Sequence, residues 1–280
     1  MRLPSAGAVR RLPSIGERMG RLRQSGRRLG MRAYHRLAAH NYERRLVARR
    51  RSTPAGPYYS YEPLLTPGAD PLLAELAAAA GPADTIYDIG AYAGRYAVPL
   101  AGAPDRTVVA VEPDPANRER LQANRERTAP AGKVIVRPVG IGTEPGRRPF
   151  YRSSFPKLSS FDRADATRWG AQVSTVESVP VRTLDSIAET EPPPDHVKID
   201  VEGLAPAVLA GGSDTIDRHR PTLFVEPHDR PGANRTAEIR NWCAANHYSI
   251  TERERTRLSS RPPIVITAGP YRRASSESVA

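Results

Sequence analysis

The chain has 280 residues, of which 39% are hydrophobic, with 28 prolines, 21 glycines, one cysteine and a formal net charge of +12. That length suffices for one α/β core with an appendage, and a lone Cys243 excludes an internal disulfide or a thiolate metal cluster and suits a reducing cytosol. No run reaches the ~20 apolar residues of a membrane span, and the arginine-bearing N-terminus lacks the apolar stretch of a secretory signal.

The charge is concentrated at one end. Residues 1–51 carry 15 arginines against 2 glutamates, a net of +13, while the rest of the chain sums to −1. Gly16, Gly20, Gly26 and Gly30 interrupt the first part of this Arg-rich extension. From Met31 to Arg50 the glycines stop, and Leu37, Ala38, Tyr42, Leu46 and Val47 predict a helix with an arginine-rich outer side. Residues 52–70 read as a Pro/Gly/Tyr linker that wraps the following domain.

From residue 71 the pattern is regular. It predicts a helix at 71–80, a strand at 85–89, a helix at 94–102 and a strand at 107–112. A helix at 115–127, opened by Pro115, and a strand at 133–138 follow. Residues 139–176 lose this periodicity, and "RSSFPKLSSFDR" (152–163) reads as an exposed loop. Strands are expected at 177–182, 195–200, 221–226, 248–252 and 263–267. Helices are expected at 183–189, at 204–210 ahead of Gly211 and Gly212, and at 235–246. Residues 272–280 read as a frayed tail. The alternation predicts an α/β fold: a doubly wound, mostly parallel Rossmann-like sheet over 71–271. Ligands of such sheets lie at the carboxyl ends of strands, where the strand order reverses.

"YDIGAYAGRY" (87–96) places Asp88 at a strand end and Gly90 and Gly94 four residues apart. Gly90 permits a tight turn and close approach of a ligand to the backbone around Ala91. Gly94 lets the next helix, with free N–H groups at its start, pack closely. The P-loop's Gly-Lys-Ser/Thr and the dinucleotide pattern G-x-G-x-x-G are both absent. Glu112 ends the strand "TVVAVEPD", where an acidic side chain can accept bonds from both hydroxyls of a ribose. Two acidic strand ends with these glycines favour a nucleoside-containing ligand over a ligand-free turn.

"DHVKIDVEG" (195–203) breaks the apolar run expected of a central parallel strand. Lys198 and Asp200 share one face, with Val197, Ile199 and Val201 on the other. A lysine buried there needs a partner, Asp200 or Asp88. It is one of three lysines in a chain with 39 arginines. The strand at 221–226 then delivers "FVEPHD", with Glu226 and His228 at its carboxyl end. His228 is a candidate general base, because its unperturbed pKa lies near neutrality. The other histidines show no ligand pattern, and no metal is expected, although Asp200, Glu226 and His228 could converge.

Taken together, "YDIGAYAGRYAVPLA", "VVAVEPDPANRERLQAN", "VRTLDSI", "VKIDVEGLAPAVLAGG" and "RPTLFVEPH" resemble the FkbM family of S-adenosylmethionine-dependent methyltransferases over residues 84–228. The resemblance implies a class I methyltransferase fold and O-methylation of hydroxyls on sugars, glycolipids or polyketide products. It implies that Asp88, Gly90, Ala91 and Gly94 line the cofactor turn and that Glu112 holds the ribose. Lys198, Asp200 and Glu202 would lie on the substrate side, with Asp200 or His228 accepting the hydroxyl proton. Two departures stand out. "GIGT" puts Thr143 where the family usually has an acid, leaving adenine to backbone, Thr143 or Glu144. Ala205-Pro206 replaces a stretch that usually holds a glutamate.

The expected partners are a small-molecule or glycan acceptor and, for residues 1–51, an anionic membrane surface or other polyanion, in a cytoplasmic protein. The arginines also allow a nucleic-acid methyltransferase. Against that reading, the N/D-P-P-F/Y motif is missing and aromatics make up only 6% of the chain. A non-catalytic Rossmann-like module is the remaining alternative. The sequence sets neither the acceptor nor the oligomeric state.

Overall fold

Four short, mostly apolar segments that hide both faces, at residues 85–89, 107–111, 196–199 and 222–225, dictate a sheet covered on both sides. The structure, a computed structural model, describes residues 15–63, 70–230, 232–254 and 264–270. The expected tail at 272–280 and the first 14 residues of the Arg-rich extension lie outside the described residues.

The chain opens with helix α1 (Ile15–Arg44), then strands β1 (Arg49–Thr53) and β2 (Gly56–Ser60), and helix α2 (Pro71–Ala79). Next come β3 (Thr85–Ile89), α3 (Ala97–Leu100), β4 (Thr107–Val111), α4 (Pro115–Thr128), β5 (Lys133–Arg137) and β6 (Gly140–Ile141). Then follow β7 (Gly146–Ser153), α5 (Arg163–Ala166), β8 (Val173–Arg182), α6 (Leu184–Ala188), β9 (His196–Ile199) and α7 (Ala205–Ala210). The last elements are α8 (Ser213–His219), β10 (Thr222–Val225), α9 (Arg235–Ala245), β11 (Tyr248–Glu254) and β12 (Ile264–Pro270).

The main sheet has the order β11-β12-β10-β9-β3-β4-β5. Its five strands from β10 to β5 are parallel, and β12 runs against them. The order reverses between β3 and β9, because β3 leads outward to β4 and β5 on one side and β9 leads to β10 on the other. Alternate residues feed two cores. Tyr87, Ile89, Val197 and Ile199 pack in the first, with residues of α6 to α9. Ile86, Val108, Ala110 and Phe224 pack in the second, with residues of α2, α3 and α4. Asp88 and Lys198, in register across β3 and β9, alternate onto this second face.

Several expectations need correction. The helix expected over Met31–Arg50 begins earlier and stops at Arg44, where Arg45 takes φ 53. Asn41 holds the returning chain, accepting from the Val47 N–H at 2.8 Å and donating to the Val47 carbonyl at 2.9 Å. A β1–β2 hairpin runs from the Arg-rich extension into the expected linker and docks on α4 through the Tyr59 N–H to Thr128 Oγ1 bond of 2.9 Å, while residues 64–69 of that linker lie outside the described residues. The strand expected at 177–182 belongs to β8, which pairs antiparallel with β7 and parallel with β6 in a separate three-stranded sheet. Residues 152–163 are not an exposed loop, since Ser153, Phe155, Leu158 and Ser160 are buried. Helix α8 was not foreseen, and the helix expected at 94–102 shrinks to four residues.

Candidate active site

A cavity of about 270 Å³ opens at the carboxyl ends of β3 and β9, where the strand order reverses. Gly90, Ala91 and Glu112 line it, and so do Lys198, Asp200, Glu202 and His228. Asp88 and Gly94 do not.

Gly90 takes φ +82, and a Cβ there would lie 2.1 Å from the Asp200 carbonyl oxygen. Glycine is required because the chain leaving β9 passes against it. Gly94 serves packing: its Cβ would meet Val98 Cγ2 at 2.8 Å and Leu121 at 3.0 Å. Four donors of this turn are used within the protein, those of Gly90 and Ala91 on the Val111 carbonyl. The Gly94 N–H goes to the Ala91 carbonyl at 2.8 Å and the Tyr92 N–H to Glu112 Oε2 at 2.8 Å.

Glu112 sits just past β4, almost inaccessible. Its Oε1 accepts from the Asp114 N–H at 2.9 Å. Burial outweighs these bonds and pushes the carboxyl up to about 7. Asp114 also caps α4 by accepting from the Ala116 N–H at 2.9 Å, which ties the acid's position to the helix start.

Asp88 is 0% exposed and Lys198 2%. Lys198 Nζ lies 2.8 Å from Asp88 Oδ1 and 3.8 Å from Asp200 Oδ2, and donates to the Gly90 carbonyl at 3.1 Å. Both partners anticipated from sequence are therefore present. Burial alone would lower the lysine's pKa, but the charges of Asp88 and Asp200 prevail and hold it above the usual value. Its ammonium also lies 4.9 Å from the Tyr96 ring centroid. Asp88 thus lies beneath the cavity wall, against the lysine that lines it.

His228, at φ 54, points its Nε2 at Asp200 Oδ1, 2.7 Å away. Glu202 stands 3.6 Å from Nδ1 and Glu226 3.9 Å from Nε2. Burial works against charging the ring, yet the Asp200 hydrogen bond and the surrounding carboxylates push it up to about 9. Below that value the charged ring is held as a donor to Asp200. Glu202 is raised by burial, with His228 and Arg168, its ion-pair partner, pulling the other way.

Thr143 and Glu144 are exposed and off the cavity. The wall on that side is Val139, Ile141 and Phe161 instead. The Phe161 ring fits because Gly140 has no side chain, since a Cβ there would be 2.4 Å from it. Tyr92, Asn117, Phe161 and Trp169 also line the cavity and were missed. The later two of the three tyrosines in "YDIGAYAGRY" were a legible signal for Tyr92 and Tyr96. The aperiodic stretch around Phe161 and Trp169 offered none.

Residues 88–250 match the methyltransferase FkbM domain model. The chain belongs to the FkbM methyltransferase family. A domain of this family is an S-adenosylmethionine-dependent methyltransferase. None of the curated proteins compared with the chain matches it. Among solved structures, an FkbM methyltransferase from Methylobacillus flagellatus is 21% identical at a TM-score of 0.48, covering 66% of this chain. The chain spans 44% of that protein's length. The magnesium protoporphyrin IX methyltransferase of Synechocystis, solved with S-adenosylmethionine, is 16% identical at a TM-score of 0.45, covering 72% of this chain and 77% of its own.

The FkbM cofactor fits the residues present. Glu112 Oε2 accepts one bond, from the Tyr92 N–H, which leaves acceptor capacity toward a ribose diol. Val139, Ile141 and Phe161 offer an apolar wall for an adenine.

Proposed function

We propose that this FkbM protein is an O-methyltransferase acting on a hydroxyl of a glycan, glycolipid or other small molecule. The observation that carries the reading is one cavity with Glu112 on the β4 side and the Lys198–Asp200–His228 cluster on the β9–β10 side. When bound, S-adenosylmethionine supplies a methyl carbon already activated by its sulfonium. The chain's own task is then to align a hydroxyl, receive its proton and keep water out. Alignment of this kind is worth up to about 7–11 kcal/mol in favourable systems. Asp200 is the carboxylate assigned to the proton, with Lys198 and His228 holding it in place and Glu202 orienting the ring. We take residues 71–271 as the catalytic domain, with the β1–β2 hairpin of the preceding segment docked on its α4.

The exposed Arg32 and Arg36 on α1 support a companion proposal. The Arg-rich extension would hold a cytoplasmic enzyme against an anionic membrane or other polyanion.

Calorimetric titration with S-adenosylhomocysteine, with NAD as control, tests the cofactor site. Micromolar binding, lost or sharply weakened in Glu112→Ala, is expected. Acceptor screening should then begin with glycans, and Asp200→Asn should lose turnover. Full turnover in that variant would remove Asp200 from its role. Methylation of RNA or DNA in place of glycans would move the arm, and the function, to nucleic acid.

A further inference from the structure

We propose that Asp200, Glu226 and His228 form a binding site for one divalent cation of the Mg²⁺/Mn²⁺ class at the acceptor end of the cavity. The site stands on its own geometry. Only its use on an acceptor hydroxyl rests on the methyltransferase reading.

Sheet topology brings the ligands together. Asp200 directly follows β9 and Glu226 directly follows β10. These neighbouring parallel strands are in register at Ile199 and Val225. The Glu226 N–H donates to the Ile199 carbonyl at 2.9 Å, so the two carboxylates leave equivalent strand ends. Two residues later the chain turns the His228 ring back toward them. Its Nε2 lies 2.7 Å from Asp200 Oδ1 and 3.9 Å from Glu226 Oε2.

One ligand atom from each of the three residues lies within 4.8 Å of the others. Metal–ligand bonds of about 2.0–2.2 Å place adjacent ligands roughly 3 Å apart and opposite ones roughly 4 Å apart. A cation there would take the place of the proton that His228 Nε2 shares with Asp200 Oδ1. Two carboxylate oxygens and one imidazole nitrogen suit Mg²⁺ or Mn²⁺ better than a thiophilic metal. Three protein ligands leave positions for water and for a substrate oxygen.

A separate feature points the same way. Glu202 Oε2 lies 3.6 Å from Nδ1, the ring nitrogen that faces away from Asp200. Glu202 is itself paired with Arg168 and would have to close on Nδ1 to orient a metal-bound imidazole. Lys198 does not bar a cation, because it approaches Asp200 through the other oxygen, Oδ2, and lies closest to Asp88. A hydroxyl bound to such a cation becomes more acidic, which this end of the cavity needs if the hydroxyl is to react.

The test is Mn²⁺ binding to the full chain, read by the loss of free Mn²⁺ signal in electron paramagnetic resonance and by calorimetry. One site is expected at micromolar to submillimolar Mn²⁺. Affinity should fall at least tenfold in both Glu226→Gln and His228→Ala, with folding checked by circular dichroism. Glu144→Gln, on the exposed surface, should bind Mn²⁺ as the wild type does. No binding at millimolar Mn²⁺, or folded variants that bind like the wild type, overturns the proposal. Titration of S-adenosylhomocysteine without metal separates the two readings: Mn²⁺ binding without it leaves the cation site standing and sinks the methyltransferase reading.

Discussion

Asp88 and Lys198 face each other across two adjacent parallel strands, Oδ1 to Nζ 2.8 Å, with neither side chain open to solvent. Removing one partner leaves the other charge buried, which costs about 3–5 kcal/mol in comparable pairs. Lys198→Met and Asp88→Ala should each lose about that much in urea unfolding. The double variant Asp88→Leu/Lys198→Met should recover most of it. Two single variants with wild-type midpoints would show that water reaches the pair.

S-adenosylhomocysteine binding should depend on pH through Glu112. Its folded pKa of about 7 lies above the 4.5 of a free glutamate, because burial penalises the charge. The folded chain therefore holds this proton where the unfolded chain has lost it. The resulting stability is fully present below pH 4.5 and is lost as pH rises toward about 7. Ribose hydroxyls donate best to the ionised form, so affinity for S-adenosylhomocysteine should weaken as pH falls below about 7. Calorimetry between pH 5.5 and 8.5 would show it, and a flat profile would remove Glu112 from the ribose.

Two glycines separate strain from collision. Gly56 takes φ +112 and has nothing within 4 Å of where a Cβ would lie, whereas at Gly90 (φ +82) a methyl would strike the Asp200 carbonyl. Gly56→Ala should cost about 1–3 kcal/mol, the strain of a positive φ alone. Gly90→Ala should cost more and should also abolish S-adenosylhomocysteine binding, because β3 and Asp200 must part. Thermal melts of the two variants, with calorimetry on Gly90→Ala, make the comparison.

Asn124 ties the N-terminal segment to the glycine turn. Its amide donates to Tyr42 Oη at 3.0 Å and to the Ala93 carbonyl at 2.9 Å, and it accepts from the Tyr61 N–H at 3.2 Å. At about 1 kcal/mol per bond, plus the groups left unsatisfied, Asn124→Ala should lose roughly 2–4 kcal/mol. Hydrogen exchange should accelerate at Tyr61 ahead of the main sheet. Uniform acceleration would mean that the hairpin and the sheet open as one unit.

Local order was legible from the residues alone. Strand-forming runs marked all five parallel strands, Pro115 marked the start of α4, and the polar interruption at Lys198 marked a strand end that opens on the cavity. Each rests on interactions within a few residues, which sequence spacing encodes directly. Only the tertiary structure decided the rest. It put Asp88 under the cavity wall, ringed His228 with carboxylates, and folded the aperiodic 152–163 stretch into the wall. These outcomes depend on contacts between segments far apart in the chain. Periodicity within a window carries no trace of such contacts, and burial and charge act on the assembled site as a whole.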